Sequence, residues 1–356
     1  MFSEELKGLD ERLFCIYITL RRRLFMAKDG MEHFYIGRPE VVAQNEKLTD
    51  KARQSIYIAR ADNTIDAYRA DWKDFCAWCI YHEESYFPAA PETIVNYIND
   101  LADNAKANTI ARRISALTEN YEAAGLSDKN PCRSPLVRNA LRGIKRMKGT
   151  LQHGKAPILF DDIKEMLQCI DGDELLQARD RAILLIGFYG AMRRSEIAGL
   201  DVEDLNFTRL GLLITLRKSK TDQFDQGQMI AIPYIDDKEV CAVTALKHWL
   251  DLSGITTGPV FRGFTKAHTI RKNRISDKSI ALIVKHYVGL MGMNPDEYGA
   301  HSLRHGFATS AAMQHVEERQ IMRQTRHKSQ AIVRRYIDEA DRLIDNPIFK
   351  ITGGKK

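Results

Sequence analysis

Apolar residues in the first half of the chain recur every three to four positions, the spacing that places them on one face of an α-helix. From about residue 63 this pattern predicts four successive helices, and no strand-like alternation interrupts them. Pro91 stands in the first turn of the second helix and Gly125 closes the third, which are positions where these residues are common. Four helices of this size predict a small all-helical bundle. The predicted helices cover residues 63–82, 91–104, 107–126 and 134–148.

The second half of the chain has mainly helical periodicity with one strand-like segment. Residues 210–234 predict two short strands around a polar turn that contains Gly227. We therefore predict a mainly α fold, with an N-terminal helical bundle followed by a mostly helical domain that has a small antiparallel β-sheet. The helical patterns of the second half cover residues 160–170, 175–200, 239–254, 277–293, 301–309 and 329–344.

A short segment rich in small and polar residues separates the two halves and has no apolar periodicity. We interpret this segment as a linker between two domains. The predicted divisions are an N-terminal extension over 1–45, a helical domain over 46–148, a linker over 149–156, a second domain over 157–346 and a C-terminal tail over 347–356.

The composition is compatible with these two domains. The chain has 356 residues, of which 44% are hydrophobic and 28% charged, as in soluble globular proteins. The longest uncharged apolar run near the start, residues 13–20, is too short to span a bilayer, and the acidic residues before it argue against a signal peptide. We therefore expect a cytoplasmic protein without a membrane partner.

Six cysteines are scattered through the chain, so we expect a reducing compartment and no disulfide framework. Cys76 and Cys79 form a Cys-x-x-Cys pair in an aromatic, helical stretch. No second cysteine pair or Cys–His pair lies at the spacing of a zinc site, so the predicted role of this pair is core packing. The other cysteines are Cys15, Cys132, Cys169 and Cys241.

A basic stripe marks the last helix of the predicted bundle. Residues 129–160 contain eight Lys or Arg and no Asp or Glu, within a chain whose formal net charge is +6. On the predicted helix Arg138, Arg142 and either Lys145 or Arg146 recur at helical spacing. Contact with nucleic-acid phosphates and a solvated helix face explain such a stripe equally well. The stripe consists of Arg138, Arg142, Lys145 and Arg146.

Three separated motifs in the second domain combine arginine, histidine and tyrosine. Each motif is ordinary alone, because an Arg three residues before a Glu is usually a local ion pair and a Tyr on an amphipathic helix usually lies in the core. The motifs are Arg193 with Glu196 in "RRSE", His301 with Arg304 in "HSLRH", and His327 nine residues before Tyr336.

Taken in this order and spacing, the motifs resemble the tyrosine site-specific recombinase and integrase family. That family has Arg-x-x-Glu after a buried helix, a Lys in a β-hairpin, His-x-x-Arg at a helix start, and a His or Trp nine residues before the nucleophilic Tyr. The resemblance covers about residues 63–345 and implies that the bundle is a DNA clamp and the second domain is catalytic. The matching residues are Arg193, Glu196, Lys220, His301, Arg304, His327 and Tyr336.

The resemblance implies phosphoryl chemistry without a metal or any other cofactor. Arg193 and Arg304 would clamp the phosphate, because a guanidinium stays protonated and can donate to two oxygens at once. His327 would donate a further hydrogen bond to the phosphate oxygens, on which negative charge develops during the reaction.

The resemblance also assigns the nucleophile and the proton transfers. Tyr336 has a reference pKa of about 10, so it needs a base to become a phenolate at neutral pH. His301 would be that base, and Lys220 would protonate the departing 5′-oxygen. The product would be a 3′-phosphotyrosine, which keeps the bond energy so that another 5′-hydroxyl can rejoin the strand without ATP.

The implied partners are double-stranded DNA with inverted-repeat half-sites and three further copies of the chain, in a homotetramer on two DNA sites. The tail places Ile348, Phe349 and Ile351 close together after Pro347. In the family such a tail inserts into a neighbouring protomer, whereas docking on its own domain is the alternative.

Some positions depart from the family pattern or leave a choice. Arg194 competes with Arg193 for the first arginine position, and Lys218 competes with Lys220 in the hairpin. Arg326 stands before His327 where relatives often carry Gly. For His305 we predict helix packing or a backbone hydrogen bond.

Three other functions compete with recombination. A metal hydrolase could use His301 and His305 at i, i+4, but no Glu lies between them and no third ligand lies nearby. A DNA-binding regulator of the same fold would have lost the catalytic residues, which are all present here. A type IB topoisomerase would use nearly the same chemistry for relaxation alone.

Overall fold

The computed structural model describes residues 29–37, 49, 51, 55, 62–149, 154–217, 228–344, 348 and 351. The chain divides into two compact units, Met1–Gln152 and His153–Lys356. Each unit has its own hydrophobic core. Across these described ranges, no helix is both long and apolar enough to cross a membrane.

Helices form the first unit at the places where the hydrophobic periodicity predicts them. Pro135 opens the fourth helix, and the hydroxyl of Ser134 accepts a 3.2 Å hydrogen bond from the backbone N–H of Leu136. Cys76 and Cys79 are fully buried, which confirms their predicted role in core packing. The helices are α1 (Asp62–Tyr81), α2 (Pro91–Asn104), α3 (Ala107–Ala123) and α4 (Pro135–Lys148).

A short N-terminal segment also belongs to the core of the first unit. It contains a 3₁₀ turn, Asp29–His33, followed by the buried side chains of Phe34 and Ile36. The indole N–H of Trp72 donates to the carbonyl oxygen of Gly30 over 2.8 Å. A segment this short shows no helical periodicity, and it lies before residue 46, the predicted start of the helical domain.

The second unit combines helices with two small antiparallel sheets, and the chain is mainly α, as predicted. The helices are α5 (Phe160–Gln168), α6 (Glu174–Tyr189), α7 (Arg194–Gly199), α8 (Ala242–Ser253), α9 (Asp277–Leu290), α10 (Ala300–Met313), α11 (Glu318–Thr325) and α12 (Gln330–Ile344). The strands are β1 (Leu205–Phe207), β2 (Gly211–Leu216), β3 (Gln228–Pro233), β4 (Arg262–Phe264) and β5 (Ile270–Arg274).

The first sheet has the strand order β1–β2–β3 with antiparallel pairing, and Leu213 of β2 lies opposite Ala231 of β3. Strands β2 and β3 confirm the predicted pair of strands. Strand β1 and the β4–β5 hairpin were not predicted, because strands of three to five residues show too little alternation. The turn between β2 and β3, with Lys218 and Lys220, lies outside the described residues.

Helix α6 is the central element of the second unit, and residues 182–186 within it are completely buried. Helices α8 and α10 pack against it. The periodicity predicted one helical stretch over 175–200, but the structure ends α6 at Tyr189 and begins α7 at Arg194. Between them Ala191 adopts a left-handed φ of 43°, so the chain turns sharply at this point.

Helix α10 carries the "HSLRH" motif and is held tightly in place. A Cβ atom at Gly306 would lie 1.6 Å from the carbonyl oxygen of Ile158, so only glycine permits this approach of the two backbones. Helices α10, α11 and α12 also share a separate apolar cluster. It consists of Ala308, Ala312, Ile321, Val333 and Tyr336.

Candidate active site

The break between α6 and α7 places Arg193 directly before the first turn of α7. Its backbone N–H donates to Oε2 of Glu196 over 2.9 Å, and its Nη1 donates to Oε1 over 2.6 Å. Arg194 instead pairs with Asp277 of α9, with 2.9 Å between Nε and Oδ2. Of the two competing arginines, Arg193 is therefore the one that Glu196 holds.

Glu196 is 5% exposed and has a second cationic partner, Arg326. The Nη2 of Arg326 donates to Oε2 of Glu196 over 2.7 Å. Burial alone would raise the pKa of Glu196, but the charge of Arg326 and the hydrogen bonds and charge of Arg193 outweigh burial and lower the pKa. Glu196 therefore remains an ionised carboxylate between two guanidinium groups.

Arg304 of α10 is 1% exposed, which is unusual for an arginine. Its Nη1 donates to the carbonyl oxygen of Ala191 over 2.7 Å. Its Nε and Nη2 are buried and have no partner among the described residues. Burial, followed by the charges of Arg193 and Arg326, lowers the pKa of Arg304 to about 9, so the group stays cationic at neutral pH. Two unused donors on a buried cation favour an anionic ligand.

Tyr336 lies on α12 and is 9% exposed. Its ring contacts two imidazoles, with centroid distances of 4.7 Å to His305 and 5.8 Å to His327. The Nδ1 of His327 is buried and has no partner within the described part of the chain. Burial and the charges of Arg304 and Arg193 lower the pKa of His327 to about 3, so its imidazole is neutral at neutral pH.

His301 lies near the start of α10, and its side chain is exposed. Desolvation by surrounding protein atoms lowers its pKa, and the charges of Arg304, His305 and Arg193 lower it further. A neutral imidazole at this position can accept a proton at neutral pH.

His305 also contacts the backbone. Its Nδ1 lies 3.0 Å from the carbonyl oxygen of Lys155, and this confirms the predicted backbone hydrogen bond. Among the residues that the structure describes, no group of three or more His, Cys, Asp or Glu side chains is placed to hold a metal ion.

The structure thus brings together residues from three distant stretches of sequence. The charges of Arg193 and Arg304 act on both His301 and His327, and the ring of Tyr336 contacts His327, so these groups lie in one site. Lys220, the other residue predicted for the site, lies outside the described residues.

The basic stripe lies on α4 of the first unit. The side chains of Arg138, Arg142 and Arg146 are exposed and that of Lys145 is half-buried. None of the four forms an ion pair within the described ranges, whereas Arg112 and Arg113 of α3 both pair with Asp71. The stripe is therefore available to an anionic partner.

Two residues near the site had no predicted part in it. Arg326 forms an ion pair with Glu196. The family pattern favours glycine at this position and therefore predicts no side-chain contact there. His305 contacts the ring of Tyr336. The only sequence signal for Arg326 was an arginine where the family favours a residue without a side chain.

Comparison with known families decides the class of protein. The family described as "Phage integrase family" matches residues 158–342, which is more than half of the chain. The domain described as "Phage integrase, N-terminal SAM-like domain" matches residues 55–125. The chain belongs to the phage integrase family. The family predicted from the motifs is thereby confirmed.

Relatives within the phage integrase family support the same enzyme class. The chain is 47% identical over 337 residues to the "Integrase/recombinase xerD homolog" of Selenomonas ruminantium, covering 94% of this chain and 98% of that protein. It is 22% identical over 275 residues to "Tyrosine recombinase XerD" of Yersinia pestis, covering 75% of this chain and 84% of that protein. The chain is a tyrosine recombinase, as predicted.

Solved structures of a site-specific recombinase and an integrase have the same fold. The XerH site-specific recombinase bound to its palindromic difH substrate aligns with a TM-score of 0.61 at 14% identity, covering 90% of this chain and 95% of that one. A lambda integrase dimer bound to a COC′ core site aligns with a TM-score of 0.55 at 14% identity, covering 87% and 78%.

Proposed function

We propose that this recombinase cleaves and rejoins double-stranded DNA through a covalent 3′-phosphotyrosine at Tyr336. The observation that carries the proposal is the pair of unused donors on buried Arg304, in the same site as Tyr336. A phosphodiester is an anion that could accept from both donors. The DNA partner is also supported by XerH and lambda integrase, which share the fold and were solved on DNA sites.

Arg193, Arg304 and His327 would bind the scissile phosphate. Glu196 fixes Arg193, and the Ala191 carbonyl fixes one nitrogen of Arg304, so both guanidiniums are oriented before DNA arrives. Donors that need no reorganisation stabilise the charge that develops on the phosphate oxygens most effectively. His327 is neutral and would donate through one ring nitrogen.

The phenolic oxygen of Tyr336 would form the new bond to phosphorus while the bond to the 5′-oxygen breaks. His301 would take the phenolic proton, in keeping with its lowered pKa, and Lys220 would give a proton to the departing 5′-oxygen. Attack by another 5′-hydroxyl would then reverse these steps and release Tyr336. The energy of the phosphodiester is retained throughout, so no ATP is needed.

The experiment that tests this proposal is covalent trapping on a nicked suicide substrate. We expect the full chain to form an adduct that survives a denaturing gel, and we expect EDTA to leave the yield unchanged because arginines replace a metal. After proteolysis the attached strand should keep a short peptide linked through its 3′-phosphate. Attachment to a 5′-phosphate, or complete loss of the adduct in EDTA, would contradict the proposal.

Exposed arginines of α4 would bind the phosphates of the same DNA without reading its sequence. Replacing Arg138, Arg142 and Arg146 with Ala should weaken binding to unrelated sequences alike and reduce the salt slope by about one unit per lost contact. The measurement is binding by fluorescence anisotropy across a salt series. The triple Lys variant is the matched control, since it keeps the charge and should keep the slope. An unchanged slope in the Ala variant would favour a solvated face.

We further propose that the active assembly is a homotetramer on two DNA sites with inverted half-sites. A groove of about 680 Å³ in the second unit offers a docking place for a neighbour's tail. It is lined mainly by apolar side chains from β3, α10, α11 and the turn between these two helices, including Met229, Phe307, Ala311, Val316 and Ile321. In the tail Ile348 and Ile351 are exposed, so apolar surface is present on both sides of this contact.

A further inference from the structure

Arg326 follows α11 in a backbone conformation that favours glycine. Its φ is 56°, in the left-handed region that a residue with a Cβ rarely adopts. The side chain is nevertheless only 8% exposed, and burying a guanidinium is costly unless its donors are satisfied. A strained backbone and a buried charge at one residue call for compensating contacts.

The guanidinium of Arg326 makes these contacts entirely within the protein. Its Nη1 donates to the carbonyl oxygens of Gly190 and Gln324 over 2.8 and 3.0 Å. Its Nη2 donates to the carbonyl oxygen of Ala191 over 3.1 Å and to Glu196 over 2.7 Å. Both terminal nitrogens are therefore used by acceptors of the protein, and only the buried Nε has no partner among the described residues.

Two of these acceptors are shared with the arginines proposed to bind the scissile phosphate. Glu196 accepts from both Arg326 and Arg193. The carbonyl oxygen of Ala191 accepts from both Arg326 and Arg304. Arg326 therefore touches the anchor of each phosphate-binding arginine, and it also holds the break between α6 and α7 from which Arg193 projects.

We propose that Arg326 is a positioning residue that fixes Arg193 through Glu196 and Arg304 through the Ala191 carbonyl group. This inference rests on the proposed function. Without Arg326, Glu196 keeps one cationic partner and the Ala191 carbonyl keeps one donor, so each arginine gains freedom to leave its productive orientation. A small misplacement of groups that stabilise a transition state lowers the rate much more than it lowers substrate binding.

The test compares Arg326→Gly and Arg326→Lys with the wild-type full chain. Glycine suits the backbone at this position, so Arg326→Gly removes the guanidinium while relieving the strain. We expect the single-turnover rate of adduct formation to fall about 10- to 100-fold, with DNA affinity nearly unchanged. Arg326→Lys keeps a positive charge, but a lysine cannot reach four acceptors as a planar fork does, so we expect its rate to stay low.

A matched control separates the backbone change from the loss of the guanidinium. His315 also has a positive φ, 53°, and lies outside the site, so His315→Gly should leave the rate unchanged. Guanidinium ion at millimolar concentration should partly restore the rate of Arg326→Gly and have no effect on His315→Gly. Urea at the same concentration should restore nothing, because it carries no charge.

The rate is measured well below the melting temperature of each variant, so that only folded protein is compared. An unchanged rate in folded Arg326→Gly or Arg326→Lys, or a rate loss that guanidinium does not reduce, would overturn the inference. If the wild-type chain forms no adduct, the proposed function fails instead, so the two failures are distinct.

Discussion

Replacing Tyr336 with Phe is expected to abolish covalent attachment to DNA. The change removes the oxygen that would bond to phosphorus and leaves a ring of the same shape between His305 and His327. We expect adduct formation to fall by roughly 10⁴-fold or more, as it does when an enzyme loses its nucleophile. DNA affinity should stay close to that of the wild type, because the arginines are untouched. Trapping on the nicked substrate and anisotropy measure the two quantities.

Tyr287→Phe provides the matched control for the loss of a phenolic oxygen. Tyr287 of α9 is buried in the second unit, where its hydroxyl donates to Asp180 over 3.1 Å. This variant should lose stability because a buried carboxylate loses a donor, but it should still form the adduct. An adduct that survives in Tyr336→Phe would show that another residue is the nucleophile.

Removing the chain after Asn346 is expected to abolish recombination while leaving DNA binding and some adduct formation. Ile348 and Ile351 are 60% and 82% exposed, and a neighbour's groove would bury them. Loss of a contact that links subunits should reduce the yield of recombinant product about 100-fold or more, because linked contacts raise avidity on this scale. Light scattering with DNA measures assembly, and a two-site plasmid assay measures recombination.

The competing possibility is that the tail docks on its own unit. In that case truncation should lower the melting temperature of the monomer strongly, whereas a tail that docks in trans should lower it little. The point variant Ile351→Ser keeps the chain length and should weaken assembly in the same direction. Intact tetramers with full recombination after truncation would exclude a role for the tail in assembly.

Much of the fold could be predicted because its helices are amphipathic and clearly delimited. The bounds of α2, 91–104, follow from Pro91 and from the apolar spacing alone. The short strands and the segment around Phe34 could not be predicted in this way, since their stability comes from contacts with residues far away in sequence. A three-residue strand has almost no periodicity of its own.

The site was predictable to the extent that its motifs have fixed spacing. Arg193 and Glu196 are three residues apart and meet across one helical turn. The contact between Arg326 and Glu196 joins residues 130 positions apart and depends on the break at Ala191, which a helical pattern over 175–200 hides. Only the folded chain shows that the side chain at this glycine position turns inward and donates to the acceptors of Arg193 and Arg304.

The buried cations of this site link its occupancy to the stability of the fold. Among the described residues, Arg193 and Arg326 pair with a single carboxylate, Glu196, while Arg304 forms no ion pair although the charge of Glu196 acts on it. An excess of buried positive charge destabilises a folded protein. An anion that binds this site compensates the charge, and because it binds only the folded state it stabilises the fold by mass action. Phosphate or sulfate in a buffer should therefore protect the empty enzyme from unfolding while competing with its DNA. The salt that best preserves the protein in storage will be a poor choice for assaying it.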